Sequence, residues 1–425
     1  MASVVDKVAP SGLLLKDFRP SHPADCGKNA ILSFDRYKAC YILSLIGFHQ
    51  YLLSNPSHNI QLSSFMPYPT VDHGVEMMMG MLLITGWLSS ATWKEASWRD
   101  HMKKKVSRLI PPYIMALVLT ALPLCLRCRE WTCFFQYGLE CTTLAGFNPA
   151  LMWWTNNRPL WFLSTILCYH YASPFFLRWI RRLSVKQLFF ALVGLYVVRT
   201  GLAVATLLSL QAIYGDLETT GRVIHCWTPL QVWVPAMGAI LQQLSQKVFV
   251  PTCTTKAHVW IATDLMIVIV GALTFSIPAP ENEVLSRMIE YNNLFTGPPL
   301  MLLITLMSCD CNSFRFFTSL TAGSRNFFAG LLSVSYTLYL VHWPLDLLFK
   351  MAGLFSEDSW DSVVGASSLE VCFAIFLDLV VMDSFTRACI AWLQKPGLQG
   401  PDQKTTQAAE KGPDQKTTQA AEKGP

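Results

Sequence analysis

The sequence predicts an all-α fold, a polytopic membrane helix bundle of about ten transmembrane helices. Three observations carry this. First, the 425 residues are 52% hydrophobic and only 14% charged, where a soluble chain carries about 25% charged residues. Second, the apolar residues gather into runs close to the roughly 20 residues that a bilayer requires. Third, the basic residues favour every second loop between those runs, which is how membrane chains fix their orientation.

The runs fall at about 37–53, 75–92, 109–126, 160–177, 187–207, 228–244, 257–277, 293–308, 330–349 and 367–390. The sixth is the weakest, interrupted by Pro235 and Gly238 and closed by Gln242 and Gln243. Loops after the second, fourth, sixth and eighth runs hold fourteen basic residues, among them Lys103, Lys104, Lys105, Arg108, Arg178, Arg181, Arg182 and Lys247. The alternate loops, with Arg199 of the fifth run counted among them, hold seven, including Arg222. Both termini are therefore expected in the cytosol, on a multi-pass protein embedded in membrane lipids.

Residues 1–30 read as a cytosolic arm, 31–394 as one membrane domain and 395–425 as a tail. The arm is polar and lacks the apolar core of a cleavable signal peptide, so the first span is expected to serve as an uncleaved signal. The tail repeats GPDQKTTQAAEK at 400–411 and 412–423, with no apolar face to bury, and reads as disordered. The net charge of +5 is modest and its basic residues sit between apolar runs, so no nucleic-acid partner is expected. Cys125 and Cys128 form a C-x-x-C without a second pair, so no metal site is expected. Cys128, Cys133, Cys141 and Cys226 fall in loops on the non-cytosolic side, where disulfides form; their pairing is open.

Ionisable residues inside apolar spans are costly and mark candidate sites. The first span opens with Asp35, Arg36 and Lys38 and carries His49 near its far end. Lys38 and His49 are eleven residues apart, about three helical turns, and share nearly one helix face. Glu76 stands at the start of the second span, Lys105 and Arg108 precede the third, His342 lies in the ninth and Asp383 in the tenth. With the predicted orientation, Lys38, Lys105 and Arg108 gather at the cytosolic mouth, and His49 and His342 sit near the midplane. A basic mouth attracts a phosphate-rich donor such as acyl-CoA. An imidazole titrates near neutrality and can take a proton from an acceptor hydroxyl. Transport of protons or a small solute, and a non-catalytic membrane role, are the other readings that these residues allow.

Six motifs then occur in order. DRYKACYILSLIGFH resembles a D-G-x-R stretch followed by an apolar run and His, with Lys38 where Arg is usual. HGVEMMMGMLLITGWL resembles G-V-[DE]-x-F-F-x-x-S-G-F-L, keeping Glu76 and Gly86. KVSRLIPPY resembles R-x-x-R-x-x-P-x-Y through Lys105, Arg108, Pro112 and Tyr113. PLWFLSTIL resembles L-W-F-L-S through Trp161. SVSYTLYLVHWPL resembles S-Y-x-L-Y-L-x-H-x-P through Ser335, Tyr336, Tyr339, His342 and Pro344. VVMDSF places Asp383 where a closing acid is usual. Over about residues 31–390 the chain resembles the acyltransferase-3 family of integral membrane acyltransferases. That family includes bacterial O-antigen and peptidoglycan acetylases and the nose-resistant-to-fluoxetine proteins of animals. The resemblance implies acyl-CoA as co-substrate with no bound cofactor, and a hydroxyl acceptor, carbohydrate or lipid, often presented on the far side. It implies His49 as the catalytic base with Glu76 beside it, Lys38, Lys105 and Arg108 as donor contacts, and Asp35, Trp161, Tyr336, His342 and Asp383 in support.

Overall fold

The computed structural model describes Phe34, Tyr37, Lys38 and Tyr41, then residues 74–93, 97–127, 131–147, 158–215, 217–249, 257–274, 297–309, 325–354 and 360–382, with a few more up to 391. Every regular element among them is helical. The N-terminal arm, the repeat tail, and the residues Asp35, His49 and Asp383 lie outside the described residues.

In chain order the elements are α1 (Gly74–Ala91), α2 (Trp98–Arg127), α3 (Trp131–Cys141), α4 (Trp161–Arg182), α5 (Val185–Tyr214), α6 (Leu217–Cys226), the single turn α7 (Thr228–Gln231) and α8 (Trp233–Leu244). After them come α9 (Ala257–Thr274), α10 (Gly297–Cys309), α11 (Arg325–Met351) and α12 (Trp360–Phe376). Short 3₁₀ turns at Ala145–Phe147 and Arg158–Leu160 lead into α4.

Two of these helices, over Trp98–Leu126 and Val185–Ile213, are long and apolar enough to cross a membrane; Met78–Ala91 and Gly297–Ser308 are shorter apolar helices. Local chemistry sets the limits of α5. Ser184 and Gln187 form a capping box at its start, and Gly215 ends it at φ 70°, a left-handed conformation that glycine adopts without penalty. Its 30 residues span about 45 Å. Phe189, Phe190, Val193, Val197, Val198 and Leu202 are exposed along it, an apolar surface that suits lipid rather than water.

The centre is the α1–α8 crossing. Gly86 lies against the Pro235 carbonyl and Gly238 against the Leu83 carbonyl, so closely that a Cβ on either would overlap backbone. Small residues allow such an approach, and apolar packing across it supplies the contact energy that lipid cannot. The Gln pair that weakened this run as a span is tied in here through Gln242 Oε1 and Gln243 Nε2, while Gln242 Nε2 is buried without a hydrogen-bond partner. Ser90 Oγ donates to Gln242 Oε1 at 2.7 Å, and Gln243 Nε2 donates to Ser90 Oγ at 3.1 Å and to Gln242 Oε1 at 2.7 Å. The described residues at the start of the first predicted span pack on α1 in the antiparallel sense: Phe34 meets Trp87 at 4.8 Å between ring centroids, Tyr37 fills the notch at Gly80, and the Tyr41 hydroxyl donates to Met78 Sδ at 3.1 Å.

Basic loops meet at one end of the bundle. Arg181 donates to the Trp93 carbonyl at 3.0 Å, and Lys247 Nζ donates to the carbonyls of Arg181 at 3.2 Å and Leu183 at 2.6 Å. These contacts join the loops after the second, fourth and sixth predicted spans. At the other end the structure departs from the sequence reading. The stretch read as a loop over 127–159 contains α3, which folds back antiparallel on α2: Tyr137 donates to the Leu117 carbonyl at 2.9 Å and Tyr113 to the Glu140 carbonyl. The loop after the fifth span contains α6, which returns along α5, with Ile224 packed on Ala203 and Leu207. Arg199, counted above as a loop residue, lies inside α5 and is fully buried. Cys141 is an exposed thiol, and the side chains of Cys128 and Cys133 lie outside the described residues.

Candidate active site

Three of the motif helices converge. The sequence of α2 determines its local form, because Pro111 and Pro112 supply no amide hydrogen to the carbonyls one turn earlier, at Ser107 and Arg108. On the turn just before them, Lys105 is half-buried and Arg108 exposed. Tyr336 of α11 reaches this turn and donates to the Leu109 carbonyl at 3.2 Å. One turn further along α11, Tyr339 donates to the Pro159 carbonyl at 2.9 Å and sets its ring 5.0 Å from that of Phe162. Thus the motifs carrying Lys105 and Arg108, Trp161, and Tyr336 and His342 form one contiguous region, although they lie far apart in sequence.

His342 is completely buried, with Nδ1 3.2 Å from the Leu338 carbonyl and its ring 6.0 Å from Tyr339. Trp161, the first residue of α4, is buried, and its ring lies 5.1 Å from that of His225 on α6. Burial, together with the charge of Arg199, lowers His225 to about 4, so that it is neutral near pH 7. Lys38 is half-buried on the helix that docks against α1, and Glu76 occupies the first turn of α1, with its side chain outside the described residues. The structure therefore brings Lys105, Arg108, Trp161, Tyr336 and His342 together. His49, Asp35 and Asp383, and the side chain of Glu76, lie outside the described residues. Thr337, on the helix of His342, donates to Asp378 Oδ1 at 2.9 Å and ties α11 to the last described turns.

The sequence reading missed a second cluster at the basic end. His101 Nε2 lies 3.1 Å from Ser173 Oγ, its ring 5.8 Å from that of His170 and 5.1 Å from that of Trp93. The available signal was the His170–Ser173 spacing of three, which puts both on one face of α4. His101 was hidden because α2 begins well before its apolar stretch. Arg199 was counted with the loop charges although the fifth run contains it, and His225 falls between the fifth and sixth runs.

All-helical architecture, the ordered motifs and a matching family model define this protein as a membrane acyltransferase in general terms. The model, described as an acyltransferase domain, matches residues 31–382. The chain belongs to the acyltransferase-3 family. No curated protein and no solved structure matches it.

Proposed function

We propose that the protein is a ten-span O-acyltransferase, with both termini cytosolic, that moves an acyl group, acetyl in the simplest case, from cytosolic acyl-CoA to a hydroxyl acceptor. The observation that carries this is the convergence of the Lys105–Arg108, Trp161 and Tyr336–His342 motifs on neighbouring helices. Lys38, Lys105 and Arg108 hold the phosphates of the donor at the basic end. His49 takes the proton from the acceptor hydroxyl as its oxygen attacks the thioester carbonyl. The carbon–sulfur bond then breaks, the acyl group stays on the acceptor as an ester, and the CoA thiolate leaves with the proton from the imidazolium. Glu76 orients or stabilises that imidazolium, as a carboxylate does in related acid–base sites.

Purified protein incubated with acyl-labelled acetyl-CoA and candidate hydroxyl acceptors should release CoA and place the label in an ester, read by mass spectrometry. Movement of solute across proteoliposomes with no ester formed would overturn the reading in favour of transport. Lys105→Gln or Arg108→Gln should each raise the apparent KM for the donor about tenfold, the loss of one charge-assisted hydrogen bond, with little change in the KM for the acceptor. Unchanged donor kinetics in both variants would leave these residues only a role in orientation.

A further inference from the structure

We infer that the α4–α5 hairpin carries a docking site for an anionic phospholipid, with the lipid phosphate on Arg182 and Lys186 and the acyl chains along the apolar side chains that lead away from them. This rests on the membrane reading of the bundle and not on acyl transfer. The sequence of α4 sorts its outer surface lengthwise. At about 100° per residue, Tyr171, Phe175, Arg178, Trp179 and Arg182 fall within an arc of about 100°. All five are exposed. The aromatic residues come first and the cations gather toward the last turn. Helix α5 repeats the order in reverse: Lys186 is its second residue, and Phe189, Phe190 and Val193 follow on exposed surface. Leu183 and Ser184 alone join the two helices. The cations therefore flank one turn, and both apolar stripes lead away from it.

Five aromatic rings stand open on this hairpin: Tyr171, Phe175, Trp179, Phe189 and Phe190 are 51–71% exposed. Water tolerates such a surface poorly, whereas the headgroup level of a bilayer accommodates aromatic rings well. The scaffold beneath is fixed. Leu177, Ile180 and Leu188 form one buried cluster with Ala239 and Ile240 of α8, and Phe176 packs on it. The Trp179 ring lies 5.8 Å from that of Phe176, which holds it at the rim. Other cations secure the turn, since Arg181 donates to the Trp93 carbonyl and Lys247 to the carbonyls of Arg181 and Leu183. Arg182 and Lys186 stay exposed beside them. A soluble phosphate would meet these cations but not the rings. A zwitterionic lipid would cover the rings but bring its own ammonium to the cations. An anionic phospholipid satisfies both, and a guanidinium fork matches its phosphate oxygens. The orientation proposed above turns this end toward the cytosol, whose leaflet carries the anionic lipids.

The full chain, purified in dodecyl maltoside micelles, would be titrated with dioleoylphosphatidylglycerol and dioleoylphosphatidylcholine, with thermal unfolding as the report of binding. One basic residue at an anionic lipid surface gives about fivefold in affinity, so two should make the wild type prefer the glycerol lipid about 25-fold. Arg182→Gln/Lys186→Gln should bring the two affinities together. Lys103→Gln/Lys104→Gln, which removes two exposed charges from α2, should keep the preference. No preference in the wild type overturns the inference, as does a preference retained in Arg182→Gln/Lys186→Gln. Equal loss in both double variants would reduce the preference to net charge and overturn the site. If the hairpin double variant does not fold, Lys186→Gln alone is read, and it should lose about fivefold; an unchanged preference there overturns the inference. Inorganic phosphate at the same concentrations should leave unfolding unchanged. A stabilisation by phosphate as large as that by the lipid would assign the cations to a soluble anion and overturn the lipid.

Discussion

With His49 as the proposed general base, replacing it with Ala should lower turnover about 10²–10⁴-fold, the usual contribution of a positioned general base, while expression and donor binding stay intact. His49→Gln should be equally inactive, since an amide accepts a hydrogen bond but cannot carry the proton away. The structure sharpens the comparison with His342. That ring is fully buried, with Nδ1 at the Leu338 carbonyl and Tyr339 alongside, a setting that suits packing. His342→Ala is thus expected to lower thermal stability through the cavity it leaves, by about 2–5 kcal/mol for a large buried side chain, with a smaller effect on turnover of the folded fraction. Steady-state rates on monodisperse protein check both. Near-normal turnover in folded His49→Ala would refute the mechanism, and loss of turnover only in His342→Ala would move the base to α11.

Gly86→Val should abolish the folded protein, and Gly238→Val should do the same from the other side of the crossing. Overpacking a core ordinarily costs about 1–3 kcal/mol, because flexible side chains give way. Here the obstacles are the carbonyls of Pro235 and Leu83, which are backbone and cannot rotate aside. The cost is expected at or beyond the top of that range. Gel filtration of detergent-extracted protein should show aggregate for both, with Gly138→Val, a glycine in open space on α3, eluting like the wild type. A monodisperse Gly86→Val protein of unchanged stability would show that the crossing is looser than described.

Much of this was legible in the sequence, and the failures have physical reasons. Span-length apolar runs recovered α2, α5 and α11 because a bilayer imposes a minimum length on what crosses it. They could not reveal α3 and α6, whose 11 and 10 residues mix apolar and polar side chains and fold back on a longer neighbour. Arg199 lies inside the fifth run yet was counted with the loop charges, and only its burial and its bond to Gln231 give it a place within the bundle. Gly86 was read as a motif residue, but its contact with Pro235 joins two segments about 150 residues apart, which no local pattern encodes. Tyr336, by contrast, was chosen by motif alone, and its bond to the Leu109 carbonyl gives that choice a geometry.

The thirty-residue helix α5 has one further consequence. It is about 45 Å long and apolar along nearly all of it, against a hydrocarbon layer of about 30 Å. Such an excess is absorbed by tilt or by local thickening of the lipid, at a cost that rises with the difference. Bilayer thickness then becomes an input to the protein. Thinner lipid favours a steeper inclination of α5, and α6 and α8 pack against it. In vesicles of graded acyl-chain length, thermal stability and turnover should therefore shift together, with an optimum at the longer chains. Values flat across the series would mean that the rest of the bundle holds α5 at a fixed angle.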